Sequence, residues 1–374
     1  MKRTSLLCVM VLLIGFCTAG AMAGEWITDG KTSCKVWNEN PKPNRTVSWA
    51  GNCENGFASG SGILIWYQAG KEISRYEGEM QNGKNNGKGT CLWANGDKYT
   101  GDFVDGKLHG KGADTYANGD KYTGDFVDGK WHGKGKAVWA KGGQYEGDFV
   151  NDRYHGKGIE TTAKGHKYTG DFVNGKWHGK GNVIWAAGGK YEGDFVNDKF
   201  HGKGIETMAS GDKYEGDFVE GERTGKGIET FVLGGKYSGD FVYGEWHGKG
   251  TYIHPSGNKY EGDFAFGEEE GKGVFTWVNG DRYEGDFSGD MFHGKGIYTW
   301  GPSSQWAGDK YSGDYVYGKQ TGKAVYLYKD GTKYEGDFLD GKYHGQGTYT
   351  CSNGRAFSGR FENGKPVGFI IQCN

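Results

Sequence analysis

A short pattern of the type Tyr-x-Gly-(Asp/Glu)-Phe returns every 23 residues and limits the folds that this chain can form. After an insertion near residues 301–305 the repeat resumes, and a degenerate copy begins at Trp49. A unit this short cannot bury its own hydrophobic face, so neighbouring units must stack. The pattern begins at Tyr76, Tyr99, Tyr122, Tyr145, Tyr168, Tyr191, Tyr214, Tyr237, Tyr260, Tyr283, Tyr311, Tyr334 and Phe357.

Each unit reads as a β-hairpin. In one example, Tyr99, Gly101 and Phe103 alternate with polar residues, as in a strand with one buried face. Asp105-Gly106 and Asn118-Gly119 are strong signals for tight turns. No segment has helical periodicity, so the expected fold class is all-β: an elongated solenoid or ribbon of about 13–14 tandem 23-residue β-hairpin repeats.

Glycines recur at fixed places within the hairpin. With a two-residue turn at Asp105-Gly106, Phe103 faces Leu108 and Gly101 faces Gly110. A side chain at either glycine would block the packing of the neighbouring aromatic residues. The structural positions of two units are Tyr99, Gly101, Phe103, Gly110, Gly112, Tyr145, Gly147, Phe149, Gly156 and Gly158.

Composition agrees with ordered β structure and predicts export. The 73 Gly accompany 13 Trp, 24 Tyr and 20 Phe, which a disordered chain would not carry. Basic Lys2 and Arg3, an apolar run and Ala21-Met-Ala23 predict a signal peptide over residues 1–23, cleaved near Ala23. Loss of Lys2 and Arg3 takes the formal net charge from −2 to −4, which argues against nucleic acid as a partner.

The remaining chain is divided into an N-terminal cap segment (residues 24–48), a degenerate repeat (49–75) and the repeat array (76–374). Mature cysteines lie near the two ends, which is typical of disulfides on terminal caps in an oxidising compartment, periplasmic or extracellular. The favoured pairs are Cys34 with Cys53 and Cys351 with Cys373, although Cys91 could compete for Cys53. The apolar Phe369-Ile-Ile371 is expected to form a final strand that caps the core or pairs with a second chain.

The consensus Tyr-x-Gly-Asp-Phe-x-x-Gly-x-x-x-Gly-x-Gly resembles the MORN (membrane occupation and recognition nexus) repeat over about residues 49–374. The resemblance implies an elongated β-hairpin solenoid that acts in lipid association, protein scaffolding or self-assembly.

Catalytic and metal chemistry are not expected, and neither is a cofactor. Gly101-x4-Gly106-Lys107 imitates a phosphate-binding loop, but Leu108 stands where Ser or Thr should follow and no helix comes next. Repeated histidines such as His178 lie two strands, or roughly 10 Å, apart, too far to share a metal ion. Each histidine is instead expected to pair with the facing aspartate, and the repeated Lys and Asp to form a solvated face.

A second, variable aromatic position is the candidate contact surface, although its side chains could equally fill the space between hairpins. The predicted function is a non-enzymatic scaffold or adaptor that binds a protein partner. A lipid- or envelope-binding module and a glycan- or peptidoglycan-binding protein are the alternatives. The candidate contact residues are Trp93, Tyr116, Trp139, Trp185, Phe231, Trp277, Trp300 and Tyr328.

Overall fold

The computed structural model describes residues 24–373, which form 30 β-strands and no helix. The predicted signal peptide, residues 1–23, lies outside this part of the chain. Over the described residues there is no helix that could cross a bilayer. The chain divides into two units, which within the described part are residues 24–140 and 141–373. The prediction of an all-β chain of tandem 23-residue hairpins is confirmed.

The first unit contains ten strands, which from β3 onward pair antiparallel with their neighbours in sequence. They are β1 (Glu25–Thr28), β2 (Lys35–Asn38), β3 (Arg45–Glu54), β4 (Phe57–Gln68), β5 (Lys71–Gln81), β6 (Lys84–Trp93), β7 (Lys98–Val104), β8 (Lys107–Thr115), β9 (Lys121–Val127) and β10 (Lys130–Val138).

The second unit contains twenty strands, which also pair antiparallel in sequence order. They are β11 (Gly143–Val150), β12 (Arg153–Thr162), β13 (Lys167–Val173), β14 (Lys176–Ile184), β15 (Lys190–Val196), β16 (Lys199–Thr207), β17 (Lys213–Val219), β18 (Glu222–Thr230), β19 (Lys236–Val242), β20 (Glu245–Ile253), β21 (Lys259–Ala265), β22 (Glu268–Thr276), β23 (Arg282–Ser288), β24 (Met291–Thr299), β25 (Lys310–Val316), β26 (Lys319–Leu327), β27 (Lys333–Leu339), β28 (Lys342–Thr350), β29 (Ala356–Glu362) and β30 (Lys365–Pro366).

Each hairpin from β3–β4 to β27–β28 carries a β-bulge, which corrects the predicted register. Phe103 faces Leu108, as expected, but Gly101 faces Gly112 instead of Gly110. Gly110 has a φ of 58° and pairs on its other side with Phe126 of the next hairpin. Two residues, Gly110 and the lysine after it, are therefore skipped by β7, and such a bulge bends and twists the strand.

The repeated tyrosine completes this bulge. Its hydroxyl, as at Tyr99, donates a hydrogen bond to the Asp102 carbonyl at 2.8 Å and lies 3.4 Å from the His109 carbonyl. These two carbonyls flank the point where the register shifts. The ring lies over Gly101 and Gly112, where a Cβ would approach the tyrosine hydroxyl to 2.4 Å. Gly101 and Gly112 therefore leave room for the ring, whereas a Cβ at Gly110 would meet the Asp102 side chain.

The core is a column of aromatic rings that meet edge to face. Phe126 contacts Tyr99 of the preceding repeat and Tyr122 of its own, with ring centroids 5.0 and 5.1 Å apart. The second unit repeats the arrangement, for example where Phe195 contacts Tyr168 and Tyr191. Edge-to-face contacts are favourable beyond the burial of area alone, so each tyrosine links two repeats.

At the N-terminal end, Trp49 takes the place of the tyrosine. Its indole N–H donates to the Asn52 carbonyl at 2.8 Å, and its ring lies over Gly51 and Gly62. Strands β1 and β2 pair with each other, and β2 runs parallel to the start of β4. A disulfide joins Cys34 to Cys53, whereas Cys91 is a buried free thiol.

At the C-terminal end, a disulfide joins Cys351 to Cys373. Phe369 lies over Gly359 and contacts Phe361, with ring centroids 5.5 Å apart. The prediction of a final strand at Phe369-Ile-Ile371 is wrong, because residues 367–373 form no strand after β30. Phe369 covers the last aromatic core from an irregular segment instead.

Substitution of Gly181 by alanine should lower the free energy of unfolding by about 1–3 kcal/mol, because the new Cβ would lie 2.4 Å from the Tyr168 hydroxyl. Urea unfolding followed by tryptophan fluorescence measures the change. Gly30→Ala is the matched control, since no atom lies within 4 Å of a Cβ there and its φ is not left-handed. Equal effects of the two substitutions would contradict the packing role of the tyrosine ring.

Candidate functional site

The polar face of the second unit forms a groove whose floor consists of paired glycines. Two stretches have volumes of about 1150 and 1170 Å³. One wall is a row of lysines, each paired with an aspartate of the following repeat, as Lys323 is with Asp337 at 2.6 Å. The hydrogen bond from Lys323 lowers the pKa of Asp337, with burial acting in the opposite direction. The lysine and aspartate rows neutralise each other, as expected of a solvated face.

The repeated histidines face the aspartates, but the expected pairing is incomplete. His178 is opposite Asp171 in the ladder. The Asp171 carboxylate instead accepts hydrogen bonds from the Lys157 ammonium at 2.5 Å and the Lys180 backbone N–H at 3.2 Å. Nδ1 of His178 is buried without a hydrogen-bond partner. Within residues 24–373 there is no group of His, Cys, Asp and Glu arranged to hold a metal ion.

The aromatic face carries tryptophans that sequence reasoning did not single out. Trp177 stacks on Tyr168, with ring centroids 4.4 Å apart, and its indole N–H donates to Glu160 at 2.9 Å. Burial raises the pKa of Glu160, and the bond from Trp177 partly opposes this. One repeat later, Val183 and Phe200 occupy these positions. Where the stacked ring is Trp177, the residue facing it is a carboxylate. Where the stacked ring is Phe200, the equivalent residue is apolar, so these two neighbouring repeats differ at both positions.

The candidate contact residues are all half-buried. Trp185 lies 6.0 Å from Phe200 of the next hairpin, and Phe231 lies 6.0 Å from Trp246, measured between ring centroids. These side chains therefore fill the space between hairpins while leaving part of each ring exposed. The structure does not bring Trp185 and Phe231 into contact with each other.

From β20 onward, the candidate residues join into one aromatic ladder. Trp277, Trp300 and Tyr328 alternate along it with rings that were not expected in the site. Successive ring centroids are 4.3–6.3 Å apart. The aromatic ladder comprises Tyr252, His254, Phe275, Trp277, Tyr298, Trp300, Tyr326, Tyr328 and Tyr349. The sequence does contain a signal for these additional rings, which is the period-two spacing of aromatic residues at the ends of these strands.

Buried carboxylates hold several rings of the ladder in place. The Tyr298 hydroxyl donates to Asp281 at 2.9 Å, and the Tyr326 hydroxyl donates to Asp309 at 2.7 Å. Tyr328 and Tyr343 share a hydrogen bond of 2.5 Å between their hydroxyls. Rings that are already ordered lose little freedom when a partner contacts them, so the ladder is suited to binding by contact and stacking.

A buried acid lies at the start of the ladder. Glu269 is 6% exposed, and its carboxylate is 3.9 Å from the imidazole of His254. Its backbone N–H donates to Asp290 at 2.8 Å. Burial, reinforced by the negative charge of Asp290, raises the pKa of Glu269 to about 8.

Comparison with known proteins identifies the repeat. A family model described as the MORN repeat matches twelve stretches of this chain. No significant match was found among curated proteins. The matched residues are 76–98, 99–121, 122–144, 145–167, 168–190, 191–213, 214–235, 237–259, 260–282, 283–305, 311–333 and 334–354.

Solved structures give only weak similarity. The SAS-4 (dCPAP) TCP domain of Drosophila melanogaster, in complex with a proline-rich motif of Ana2, is 12% identical, with a TM-score of 0.26 over 40% of this chain and 81% of that one. The TCP10 domain of Danio rerio CPAP is 10% identical, with a TM-score of 0.20 over 66% and 98%. Virginiamycin B lyase from Staphylococcus aureus is 10% identical, with a TM-score of 0.12 over 84% and 98%. TM-scores this low carry no argument about function.

Stability should fall as the pH rises from about 5 to 9, and Glu269→Gln should remove part of this fall. The folded chain holds a proton on Glu269 up to about pH 8, whereas the unfolded chain releases it near the usual value of 4.5. The stabilising contribution is complete below the unfolded pKa and lost through the folded one, with a slope on the order of 1.4 kcal/mol per pH unit. Urea unfolding at a series of pH values measures this.

Gln320→Asn is the control, because Gln320 occupies the equivalent position two repeats later and neither amide titrates. It should keep the pH dependence of the unsubstituted chain. An unchanged dependence in Glu269→Gln would refute the assignment of the proton to this carboxyl.

Proposed function

This chain belongs to the MORN repeat family, and we propose that it is an exported, non-enzymatic scaffold that binds a protein partner along its aromatic ladder. MORN repeats are associated with binding protein or membrane lipid. The finer assignment, to a protein partner on this face, is supported by the chemistry of the ladder.

The observation that carries the proposal is the continuity of the partly exposed rings from Tyr252 to Tyr349. Aromatic side chains contribute most to protein–protein binding where they are held rigidly and can be fully covered by the partner. The hydrogen bonds to Asp281 and Asp309 supply that rigidity. An interface built on rows of hairpins would present similar anchor points at regular intervals, as repeat proteins do.

Export is supported by two features at the chain ends. The segment before residue 24 has the composition of a signal peptide, with cleavage near Ala23. The disulfides Cys34–Cys53 and Cys351–Cys373 require an oxidising compartment, such as the periplasm or the extracellular space. We accordingly propose residues 24–48 as the cap, residues 49–75 as a degenerate repeat and residues 76–374 as the array.

The charge distribution disfavours an anionic membrane as the main ligand. The lysines of the polar groove are paired with aspartates, as in Lys249–Asp263 at 2.6 Å. The formal net charge after loss of residues 1–23 is −4. Polybasic surfaces, which attract anionic lipids, are therefore not the dominant feature of the second unit.

The partner should be lost when two ladder tryptophans are removed. Trp277→Thr with Trp300→Thr introduces a residue that Thr162 shows to be compatible with the repeat. With the processed chain as bait in an envelope extract of its own cells, a protein recovered in stoichiometric amount should fall at least about tenfold in the variant, a loss of about 1.4 kcal/mol or more in binding. Mass spectrometry of bound protein, lipid and glycan gives the readout.

Leu233→Ala is the matched control, since Leu233 is 89% exposed and lies outside the ladder. It should retain the partner, and thermal melting should show that all variants remain folded. Lipid or glycan enrichment without a protein, or equal protein recovery by the tryptophan variant, would overturn the scaffold proposal.

A further inference from the structure

One edge of the repeats consists of the hairpin turns that join the two strands of each unit. In several repeats an ion pair links one turn to the next. A lysine just after the turn reaches the acidic first turn residue of the following repeat, as in Lys84–Asp105 at 3.7 Å, Lys199–Glu220 at 2.7 Å and Lys319–Asp340 at 3.1 Å. In these repeats the edge satisfies its own charges.

Three consecutive repeats of the second unit carry the opposite charge at the lysine position. Glu222, Glu245 and Glu268 occupy the repeat position that holds lysine or arginine in every earlier repeat from β5 onward. In the two turns that follow Glu222 and Glu245, the acidic or amide residue is replaced by Tyr243 and Phe266. Within residues 24–373 none of the three glutamates has a cationic group within 4 Å. These turns thus combine an unpaired carboxylate with an exposed aromatic residue, whereas Lys319, next to the exposed Tyr317, keeps its ion pair.

The two aromatic residues occupy turn positions with an unfavourable backbone conformation. Tyr243 and Phe266 each have a φ of 51°, a left-handed conformation that bulky residues rarely adopt. Asp128 and Asn174 occupy equivalent turns, where their short polar side chains tolerate such angles. Burial does not offset the cost, because Tyr243 is 85% exposed and Phe266 is 76% exposed. Strain of this kind is concentrated at binding sites, and exposed rings at strained positions are consistent with one.

We propose that this acidic–aromatic edge, formed by Glu222, Tyr243, Glu245, Phe266 and Glu268, binds a cationic segment of a partner protein. The Glu222 carboxylate lies beside the turn of Tyr243 and Gly244, and the Glu268 carboxylate lies beside Gly289 in the turn after β23. A lysine or arginine that enters can pair with the carboxylate and place its charge over the ring face. An anionic lipid surface would be repelled by the same glutamates.

The spacing of the turns specifies the ligand further. Successive turns are two strands apart, about 10 Å. A peptide in the polyproline II conformation advances about 3.1 Å per residue with three residues per turn, so side chains three residues apart lie on one face and match consecutive turns. The preferred segment therefore carries Lys or Arg at every third position and lies along the edge. This inference deepens the scaffold function, but it concerns an edge that includes no residue of the aromatic ladder.

The test is the binding of a synthetic peptide to the full processed chain. A labelled nine-residue peptide with Arg at every third position and Gly or Ser between should bind, and its affinity should fall with added salt. The variant combines Glu222→Lys, Tyr243→Asp, Glu245→Lys and Phe266→Asp, which introduces the lysine–aspartate pair seen in Lys84 and Asp105. It should weaken binding about tenfold or more without lowering the melting temperature, as read by fluorescence anisotropy and thermal melting.

Two controls distinguish binding at this edge from nonspecific binding. Val232→Ala with Leu233→Ala changes two exposed apolar side chains on one turn of the opposite edge and should leave the affinity unchanged. A peptide with Glu for Arg should not bind, and one with Arg at every second position should bind less tightly. Equal binding by the four-residue variant, no binding of the arginine peptide, or binding of phosphatidylglycerol vesicles in its place would overturn the proposal. Because the assay needs no ladder partner, it can fail separately from the scaffold proposal.

Discussion

The fit of one tyrosine ring over two small residues, almost always glycines, is the contact on which the repeats depend. The ring of Tyr99 occupies the space that a Cβ on Gly101 or Gly112 would need, and its hydroxyl binds carbonyls at the bulge. The same side chain therefore fills the core and satisfies backbone groups where the ladder is interrupted. A Cβ on either glycine would crowd the Tyr99 side chain, and Ala324 is the one substitution of this kind among the repeats that keep the tyrosine. Phenylalanine in place of Tyr99 would leave the Asp102 carbonyl without this donor. The ends keep the principle with different residues, since Trp49 and Phe369 cover the glycines there.

The fold was largely predictable because its information is local and repeated. Alternation, turn glycines and the 23-residue period predict the hairpins and the contact between Phe103 and Leu108. The bulge at Gly110 was not predictable from one hairpin, because that glycine pairs with Phe126 of the next repeat. Counting residue pairs outward from the turn assumes that the strands pair without interruption. The prediction therefore paired Gly101 with Gly110 instead of Gly112.

The candidate site was only partly predictable for a related reason. Variation between copies pointed to Trp277, Trp300 and Tyr328, which do lie in the aromatic ladder. Tyr298 and Tyr326 were missed because their role depends on two contacts between repeats, with the neighbouring tryptophan rings and with Asp281 and Asp309. Residues 17 positions apart meet in this fold, and no local pattern marks such a pair.

Because the unit is repeated, each position can be compared between copies within the same chain. Where a position must only satisfy the fold, many copies use the same residue, as the lysine–aspartate pairs of the polar groove show. A departure that exchanges both members of a contact at once, such as Lys199 and Glu220 for Glu222 and Tyr243, removes an internal interaction and exposes two groups. That exchange leaves the charge without a cationic partner and places the ring at a left-handed φ, which costs free energy. A partner that supplies the missing cation would compensate for both costs, so the strongest evidence for a binding edge is the loss of an interaction that four other repeats retain.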